Sequence, residues 1–335
     1  MNDNILLTLI VTFLFLLLSI LPMLPMLKSI YKKEDVDPLY MDLDYILNPK
    51  FQAENFEKLL HSDDKKFTKI SIGKELGVDS VPIKASYPLL FSSMEKVSLN
   101  GKIETNAILY SKEDIVTQNG SEIFALKSNG SIILGEKSTV DSWIDAARDV
   151  TIEKGAKINL VTAKSVKLYS GVKFKRIYAD TIGIYPLNTG DEDKKGIDIN
   201  REKTRQYIED EVLYLEKDDI IKQGSNINSD IVCRGNLIIE ENCKILGSIK
   251  TNGTLEIEND THIYGNIFSD EKIKINDNCF IFGNVFSHTY IEIGKNGQIG
   301  RYGLPKSIIG IKGIQIAGGT FLHNYILTYG EGKIV

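Results

Sequence analysis

Histidine is the side chain that most often serves as a general base, and the sequence contains four: His61, His262, His288 and His323. His262 and His288 are the candidates for an acyl-transfer base. His262 directly precedes Ile263, an apolar residue of the repeat described below, so strand alternation turns its imidazole outward. His288 falls at a predicted corner of the chain. Neither histidine has a companion motif, and we therefore predict no catalytic residue.

The three cysteines, Cys233, Cys243 and Cys279, do not have the spacing of a metal site. Cys243 and Cys279 lie two turns of the repeat apart, which corresponds to about 9.6 Å at the spacing of paired strands. That distance is too long for a disulfide bond. We therefore expect free thiols, which fit a reducing cytoplasm, and no metal or cofactor.

The carboxylates do not suggest a catalytic pair either. Glu256, Lys274 and Glu292 recur at one interval and would form an outward column of alternating charge. Such a column is typical of ion pairing between neighbouring strands, whereas a glycosidase needs two converging acids. The sequence lacks a P-loop, a dinucleotide-binding motif and a basic aromatic patch, and its net charge of −5 argues against a nucleic-acid partner.

An internal repeat of eighteen residues determines where these side chains lie. Within each row, aliphatic residues follow one another at steps of six, two, six and four, and even steps keep one face of an extended chain pointing inward. A helix would place them three or four residues apart. The four aliphatic columns are Ile231, Ile249, Ile267 and Val285; Leu237, Leu255, Ile273 and Ile291; Ile239, Ile257, Ile275 and Ile293; and Ile245, Ile263, Ile281 and Ile299.

Polar residues between the columns indicate corners. The pairs at 252–253, 259–260 and 276–277 contain Asn, Gly and Asp, which tolerate unusual backbone angles. With about three corners, each repeat completes one coil of a single-stranded β-helix, and successive coils stack about 4.8 Å apart. The predicted fold class is therefore an all-β solenoid with about eighteen residues per coil, whose aliphatic columns form ladders in the bore.

The repeat resembles that of the bactofilins, which are bacterial polymer-forming cytoskeletal proteins. The matching signature is an aliphatic-x-aliphatic element followed by aliphatic-x-Gly-x-aliphatic. The second element occurs here as ILGSI at 245–249, IYGNI at 263–267 and IFGNV at 281–285. The resemblance is clear over about 227–300 and weaker to about 322. It implies a right-handed β-helix that polymerises end to end without nucleotide.

Residues 5–27 contain no charged side chain, and a helix of this length would extend about 34 Å, enough to cross a bilayer core. A cleaved signal peptide is the alternative, but the run has no basic region before it and no small-x-small cleavage site after it. Lys28, Lys32 and Lys33 follow directly. By the positive-inside rule, residues 1–27 are predicted as a single-pass anchor in the bacterial inner membrane, with the bulk of the chain cytoplasmic.

Residues 28–99 form a predicted adaptor between the anchor and the solenoid. An Asn-Pro pair at 48–49 indicates the start of a short helix that ends near His61. The apolar face of this helix consists of Phe51, Phe56, Leu59 and Leu60. We interpret the helix as a cap over the first coil, and the alternative is a helix lying on the membrane surface.

The same steps recur before the regular rows. They run through Leu126, Ile132, Leu134, Val140, Ile144, Val150, Ile152 and Ile158. Ile108 precedes Leu126 by eighteen residues and is interpreted as an earlier member of its column. In the last coil before Ile184, the repeat interval shortens to about sixteen residues. Trp143 is expected to pack in or near the bore.

We divide the solenoid into a first block over 100–185 and a second over 212–335. Residues 186–211 break the register and are predicted as an inserted loop and short helix, which either docks a partner or has no role. A second insertion near 301–306 delays the last columns by five residues, so that Ile308 continues the column of Val285.

The ends of a β-helix carry unpaired backbone groups, which pair with other chains unless they are capped. No charged residue lies between His323 and Tyr329, and we therefore predict the C-terminal end as an assembly surface. The residues of this predicted assembly end are Leu322, Tyr325, Ile326, Leu327 and Tyr329.

These features predict a membrane-anchored, bactofilin-like scaffold that self-assembles through its ends and is not an enzyme. Its expected partners are other copies of itself, the membrane, and envelope or cytoskeletal proteins. One alternative is a β-helix enzyme, such as an acyltransferase acting on envelope precursors. The other is a non-polymerising docking subunit of a membrane complex.

Overall fold

The computed structural model describes residues 10–15, 48–61, 68–71, 75–77, 89–186 and 212–335. Of the predicted membrane span it describes only residues 10–15, which are helical. No helix among the described residues is long and apolar enough to cross a membrane. The rest of the predicted anchor, most of the predicted adaptor, and residues 187–211 of the predicted insertion lie outside the described residues.

Helix α1 (Phe51–His61) matches the helix predicted within the adaptor. Pro49 precedes it, where the fixed φ angle of proline suits a first helical turn and its missing N–H loses no intrahelical bond. The backbone N–H of Glu54 donates to the carbonyl of Lys50 at 2.9 Å. The Glu54 carboxylate lies in the first turn, where the helix dipole favours a negative charge.

Twelve parallel strands build the first part of the solenoid, which we call stack 1. Each strand pairs with the strand one coil further along, for example Ile132 with Val150. The interval is shorter at the last coil, where Val166 pairs with Ile182. The strands are β1 (Thr68–Ser71), β2 (Glu75–Gly77), β3 (Leu89–Ser93), β4 (Val97–Asn100), β5 (Glu104–Ser111), β6 (Ile115–Val116), β7 (Glu122–Ser128), β8 (Ile132–Leu134), β9 (Thr139–Ala146), β10 (Asp149–Ile152), β11 (Lys157–Tyr169) and β12 (Lys173–Tyr185).

Eighteen further strands build the second part, stack 2, which is more regular. The strands are β13 (Leu213–Leu215), β14 (Asp219–Ile221), β15 (Asn226–Ile227), β16 (Ile231–Cys233), β17 (Leu237–Ile239), β18 (Lys244–Ile245), β19 (Ile249–Thr251), β20 (Leu255–Ile257), β21 (His262–Ile263), β22 (Ile267–Ser269), β23 (Ile273–Ile275), β24 (Phe280–Ile281), β25 (Val285–Ser287), β26 (Tyr290–Ile293), β27 (Gln298–Ile299), β28 (Lys306–Gly310), β29 (Gly313–Ile316) and β30 (Phe321–Ile334). Val285 pairs with Ile308, as the delayed register predicts. The predicted β-solenoid with about eighteen residues per coil is confirmed.

The corners of stack 2 explain its polar columns. Asn242, Asp260, Asn278 and Asn296 occupy one column with φ between 55° and 58°, a left-handed conformation that Asn and Asp tolerate better than most residues. Gly224 begins this column with φ 73°. A different column, which contains Gly283, requires glycine for space, because an added Cβ there would lie 2.0 Å from a backbone oxygen of the preceding coil.

The two stacks run in opposite directions and meet at their last coils. Strand β12 pairs antiparallel with β30, so that Ile177 lies opposite Ile326 and Ile182 opposite Leu322. On its other side, β30 pairs in parallel with β27, β28 and β29 of its own stack. We call the contact between β12 and β30 the junction. The sequence predicts one solenoid in two blocks, but it does not predict this reversal.

The reversal places the two ends of the predicted insertion far apart. Pro186 directly follows β12 at the junction, whereas Val212 directly precedes β13 in the first coil of stack 2. Residues 187–211 therefore connect the junction to the opposite end of stack 2.

Helix α1 packs against an outward column on the side of stack 1. The column lies in register on β3, β5, β7 and β9 and consists of Leu90, Ile108, Ala125 and Trp143. Phe56 and Ala53 of the helix belong to the same apolar cluster. The helix thus covers a side that extends over four coils, whereas the sequence predicts a cap over the first coil. Trp143 lies under this helix and not in the bore.

Candidate assembly surfaces

The sixteen predicted ladder residues lie in the bore of stack 2. Ile231, Ile249, Ile267 and Val285 are paired coil to coil, and the other three columns are paired in the same way. All sixteen side chains are buried in one apolar cluster that runs through both stacks. Burial of such a column removes apolar area from water in every coil, which stabilises the stacking.

Ladders of stack 1 also follow the predicted register, with one exception. Leu126 pairs with Ile144, and Val140 with Ile158. Ile108, however, pairs with Ala125, because a β-bulge after Thr105 shifts the register. Leu109 therefore occupies the bore position that the sequence assigns to Ile108, and Ile108 faces helix α1.

The predicted assembly end lies at the junction, where stack 1 covers it. Ile326 and Leu322 are fully buried, and they lie opposite Ile177 and Ile182 of β12. Leu327 is half-buried. Tyr329 remains 68 % exposed. The structure thus pairs this edge within the chain, so the described β30 does not present a free edge on the side that faces β12.

Aromatic rings and one ion pair reinforce the junction. Tyr325 and Tyr178 approach each other with ring centroids 6.2 Å apart, and burial raises the pKa of the Tyr325 hydroxyl. Lys173 Nζ lies 3.0 Å from the Glu331 carboxylate, but both side chains are about half exposed, so this pair contributes little stability. The surface is therefore mainly apolar, like the interior of a single domain.

The opposite end of stack 2 carries strands with one neighbour each. Among the described strands, β13, β14 and β15 pair only with β16, β17 and β18. We call β13–β15 the far coil. Its apolar side chains are unusually exposed, with Tyr214 at 66 %, Ile220 at 44 % and Leu213 at 37 %. The sequence alone does not predict an assembly surface at these residues, although Leu213 precedes the ladder residue Ile231 by one repeat.

One residue of the far coil works against indefinite stacking. Asp219 pairs with Leu237, so it occupies an inward ladder position that is aliphatic in the next coils. Its Oδ1 accepts a hydrogen bond of 2.7 Å from the backbone N–H of Ile220. An inward-pointing charge at a terminal strand limits pairing with other chains. The far coil therefore combines an exposed apolar edge with a single opposing charge.

A buried ionic cluster joins α1 to the side of stack 1. Lys127 Nζ lies 2.5 Å from Asp145 Oδ2 and 2.9 Å from Glu57 Oε1, and the Thr162 hydroxyl donates to Asp145. Burial lowers the pKa of Lys127, but the hydrogen bonds and charges of Asp145 and Glu57 outweigh this effect and raise its pKa. A buried charge with two partners is better interpreted as a structural lock than as a catalytic group.

The structure does not bring the candidate histidines together. His262 packs beside Phe280 with ring centroids 4.9 Å apart, and burial, followed by the charge of Lys244, lowers the pKa of its imidazole. His288 lies in an exposed corner, where its Nδ1 is 3.1 Å from Asp270. A shallow cleft elsewhere is lined by Arg148, Asp149, Lys164, Ser165, Asp180, Thr181 and Tyr302. Neither candidate histidine is among these lining residues.

The cysteines and the charged column lie as predicted. Cys233, Cys243 and Cys279 are free and buried, and desolvation raises the pKa of the Cys279 thiol to about 11. Lys274 pairs with Glu256 at 2.5 Å across neighbouring coils. Within the described ranges, no cluster of three His, Cys, Asp or Glu residues could hold a metal ion.

Together, these residues define a β-solenoid of two oppositely directed stacks, with one covered and one exposed end of stack 2. Comparison of the chain with protein-family models, curated proteins and solved structures finds no match.

Proposed function

We propose that the protein is a membrane-anchored scaffold that self-assembles through the far coil. The observation that carries this proposal is the far coil itself, whose strands have one described neighbour each and expose Leu213, Tyr214 and Ile220. Exposed strand edges with apolar side chains favour pairing with another copy. The bactofilin-like coil motif supports the same function.

The junction supports the proposed mode of contact. Within one chain, coils of this sequence type pair edge to edge in an antiparallel arrangement, with Ile177 opposite Ile326. Two copies that meet at their far coils would use the same kind of edge and would be related by a two-fold axis. Such an interface is self-complementary and closes as a dimer.

The membrane part of the proposal is supported by the uncharged run at 5–27 and by Lys28, Lys32 and Lys33 after it. This arrangement favours a helix across the inner membrane with the solenoid on the cytoplasmic side. Protease protection of the full chain in inverted membrane vesicles tests this topology. Cleavage of the solenoid by external protease is expected, and full protection would contradict the orientation.

Two substitutions in the far coil test self-assembly of the full chain in detergent, by sedimentation velocity over a range of concentrations. Tyr214→Asp adds a second charge to the edge and is expected to weaken association at least tenfold, or about 1.4 kcal/mol. Asp219→Leu restores an aliphatic ladder position and is expected to strengthen association. Tyr290→Asp is a matched control, because Tyr290 is 49 % exposed on a strand with two neighbours.

The two far-coil variants make the proposal easy to refute. Opposite shifts of the dissociation constant are expected from Tyr214→Asp and Asp219→Leu, with no shift from the control. A chain that stays monomeric at high concentration, with or without Asp219→Leu, would remove the proposed self-assembly.

A further inference from the structure

One side of stack 2 carries stacked aromatic rings. Phe268 and Phe286, on neighbouring coils, lie with ring centroids 5.1 Å apart and planes 3° from parallel. Tyr264 and Phe282, across the adjacent corner, stack at 4.6 Å. We call this the aromatic side. Because the rings stack on one another along the rod, they present their edges, and not their faces, to a partner.

The described outward columns on the aromatic side contain no acidic residue. Lys244 lies over the Tyr264 ring at 5.4 Å, and Lys250 over the Phe268 ring at 5.7 Å. The paired columns are Tyr214, Val232, Lys250, Phe268, Phe286, Ile309 and Leu327, and Lys244, His262, Phe280, Gln298 and Phe321. Acids remain beside these columns, among them Asp260 near His262 and Asp270, which is bonded to His288. Asp149 and Asp180 of stack 1 line the shallow cleft that Tyr302 also lines.

Strands β14, β17, β20, β23, β26 and β29 form another side of stack 2, which we call the ion-paired sheet. Its outward column includes Glu256, Lys274 and Glu292 in register. Glu256 forms an ion pair with Lys274, and Glu292 with Lys272 beside the column. Stack 2 is therefore amphipathic around its circumference, with an apolar and cationic side and an ion-paired side.

A short loop projects from the corner of the aromatic side. It follows β27 and precedes β28, and the backbone N–H of Leu304 donates to the Arg301 carbonyl at 3.0 Å, which closes a tight turn. Gly303 supplies the positive φ of 78° that this turn requires. The two large apolar residues of the loop are exposed, Tyr302 at 75 % and Leu304 at 45 %. Arg301 and Lys306 flank them.

We propose that the aromatic side lies on an anionic lipid bilayer, with Tyr302 and Leu304 inserted at the headgroup level. Aromatic and aliphatic side chains with flanking Lys and Arg favour this region, where apolar burial and attraction to anionic lipids act together. The inference rests on the proposed membrane anchoring, because the anchor would keep the rod close to the surface. It specifies which side of the rod faces the lipid.

Fluorescence of the full chain reconstituted into vesicles tests this orientation. In Leu304→Trp the new indole is expected to insert, so its emission falls by about half in vesicles with brominated acyl chains. Ile238→Trp is the matched control, because Ile238 is 37 % exposed and lies on the ion-paired sheet. The native Trp143 is buried under α1 and gives the same background in both variants.

Charge reversal and lipid composition add a second measurement. Arg301→Glu combined with Lys306→Glu is expected to reduce the quenching of Leu304→Trp. Vesicles of phosphatidylcholine alone are expected to reduce it as well. Tyr302→Trp provides an independent probe in case Leu304→Trp fails to fold.

Equal quenching at positions 304 and 238, or none at 304, would overturn the proposal. Cross-linking between copies through Leu304→Cys, without lipid quenching at this position, would assign the aromatic side to a protein contact and would also overturn it. Sedimentation velocity of the same variants in detergent reports self-assembly separately, so loss of the lipid contact and loss of the scaffold function are distinguishable.

Discussion

Replacing Gly283 with alanine tests the stacking of coils most directly. The Cβ of an alanine at this corner would lie 2.0 Å from the carbonyl oxygen of Gly265 and 2.4 Å from its carbonyl carbon. Nonbonded carbon and oxygen atoms normally remain about 3.3 Å apart. Both atoms belong to the backbone, so no side chain can rotate away. The two coils would have to separate locally by about 1.3 Å, the difference between these contact distances.

That separation affects hydrogen bonds as well as packing. The bonds donated by the backbone N–H groups of Ile267, Phe282 and Asn284 join this corner to neighbouring coils and measure 2.8–2.9 Å. An increase of about 1 Å leaves none of them within hydrogen-bonding distance. At about 1 kcal/mol for each bond, together with strained packing of the ladders, we expect Gly283→Ala to destabilise stack 2 by about 3–5 kcal/mol.

Urea unfolding of the full chain in detergent measures this effect with two probes. Far-UV circular dichroism reports both stacks, whereas Trp143, the only tryptophan, reports the side of stack 1. Gly224→Asn is the control, because Gly224 has φ 73° in the column where Asn242 has φ 57°, and a Cβ added to it would meet no described atom within 4 Å. The control should stay within about 0.5 kcal/mol of the natural chain. A similarly small effect of Gly283→Ala would refute the steric argument.

Three further predictions concern α1 and the junction. Phe56→Ala leaves a cavity over Trp143, and we expect docking of α1 to weaken by about 3 kcal/mol, seen as a red shift of Trp143 emission. The pKa of Lys127 is raised in the folded state. The stability that its charge contributes should therefore be complete below its unfolded pKa of about 10.4 and be lost as the pH rises through its folded pKa. Lys127→Met should remove this transition from a pH titration followed by Trp143 fluorescence. Ile326→Asp buries an unpaired carboxylate and should cost more than about 3 kcal/mol by thermal circular dichroism. Tyr329→Asp on the same strand should change the stability little, because Tyr329 is exposed. Equal losses of stability in the two variants would contradict the burial of Ile326 at the junction.

The ladders of stack 2 can be predicted because they depend on a period alone. Even steps between aliphatic residues indicate a strand face, and a constant interval between rows indicates which residues lie above one another. The pairing of Val285 with Ile308 across the inserted loop shows the strength of this signal, since the register survives a change of interval. The type of fold and most of the bore follow from these two regularities.

Helix α1 can be predicted as a helix, but its position cannot. Its binding site exists because bulges in β5 and β9 shift the register and turn apolar residues outward. A bulge adds one residue and reverses the alternation that follows it. The eighteen-residue interval from Ile108 to Leu126 therefore predicts the wrong register. Trp143, which is expected in or near the bore, lies outside it under Phe56.

The direction of stack 2 cannot be read from the repeat, because an aliphatic ladder has the same spacing in either direction along the rod. The absence of charge between His323 and Tyr329 is compatible with an exposed assembly edge and equally with an edge buried inside the chain. The pairing of β30 with β12 shows that this edge is buried inside the chain, and β12 lies in a distant part of the sequence. The sequence does distinguish the two ends of stack 2 at the far coil, where Asp219 interrupts an aliphatic ladder column. Among the described strands of this chain none packs on the inward charge of Asp219, so this interruption identifies the far coil as the last described coil of stack 2.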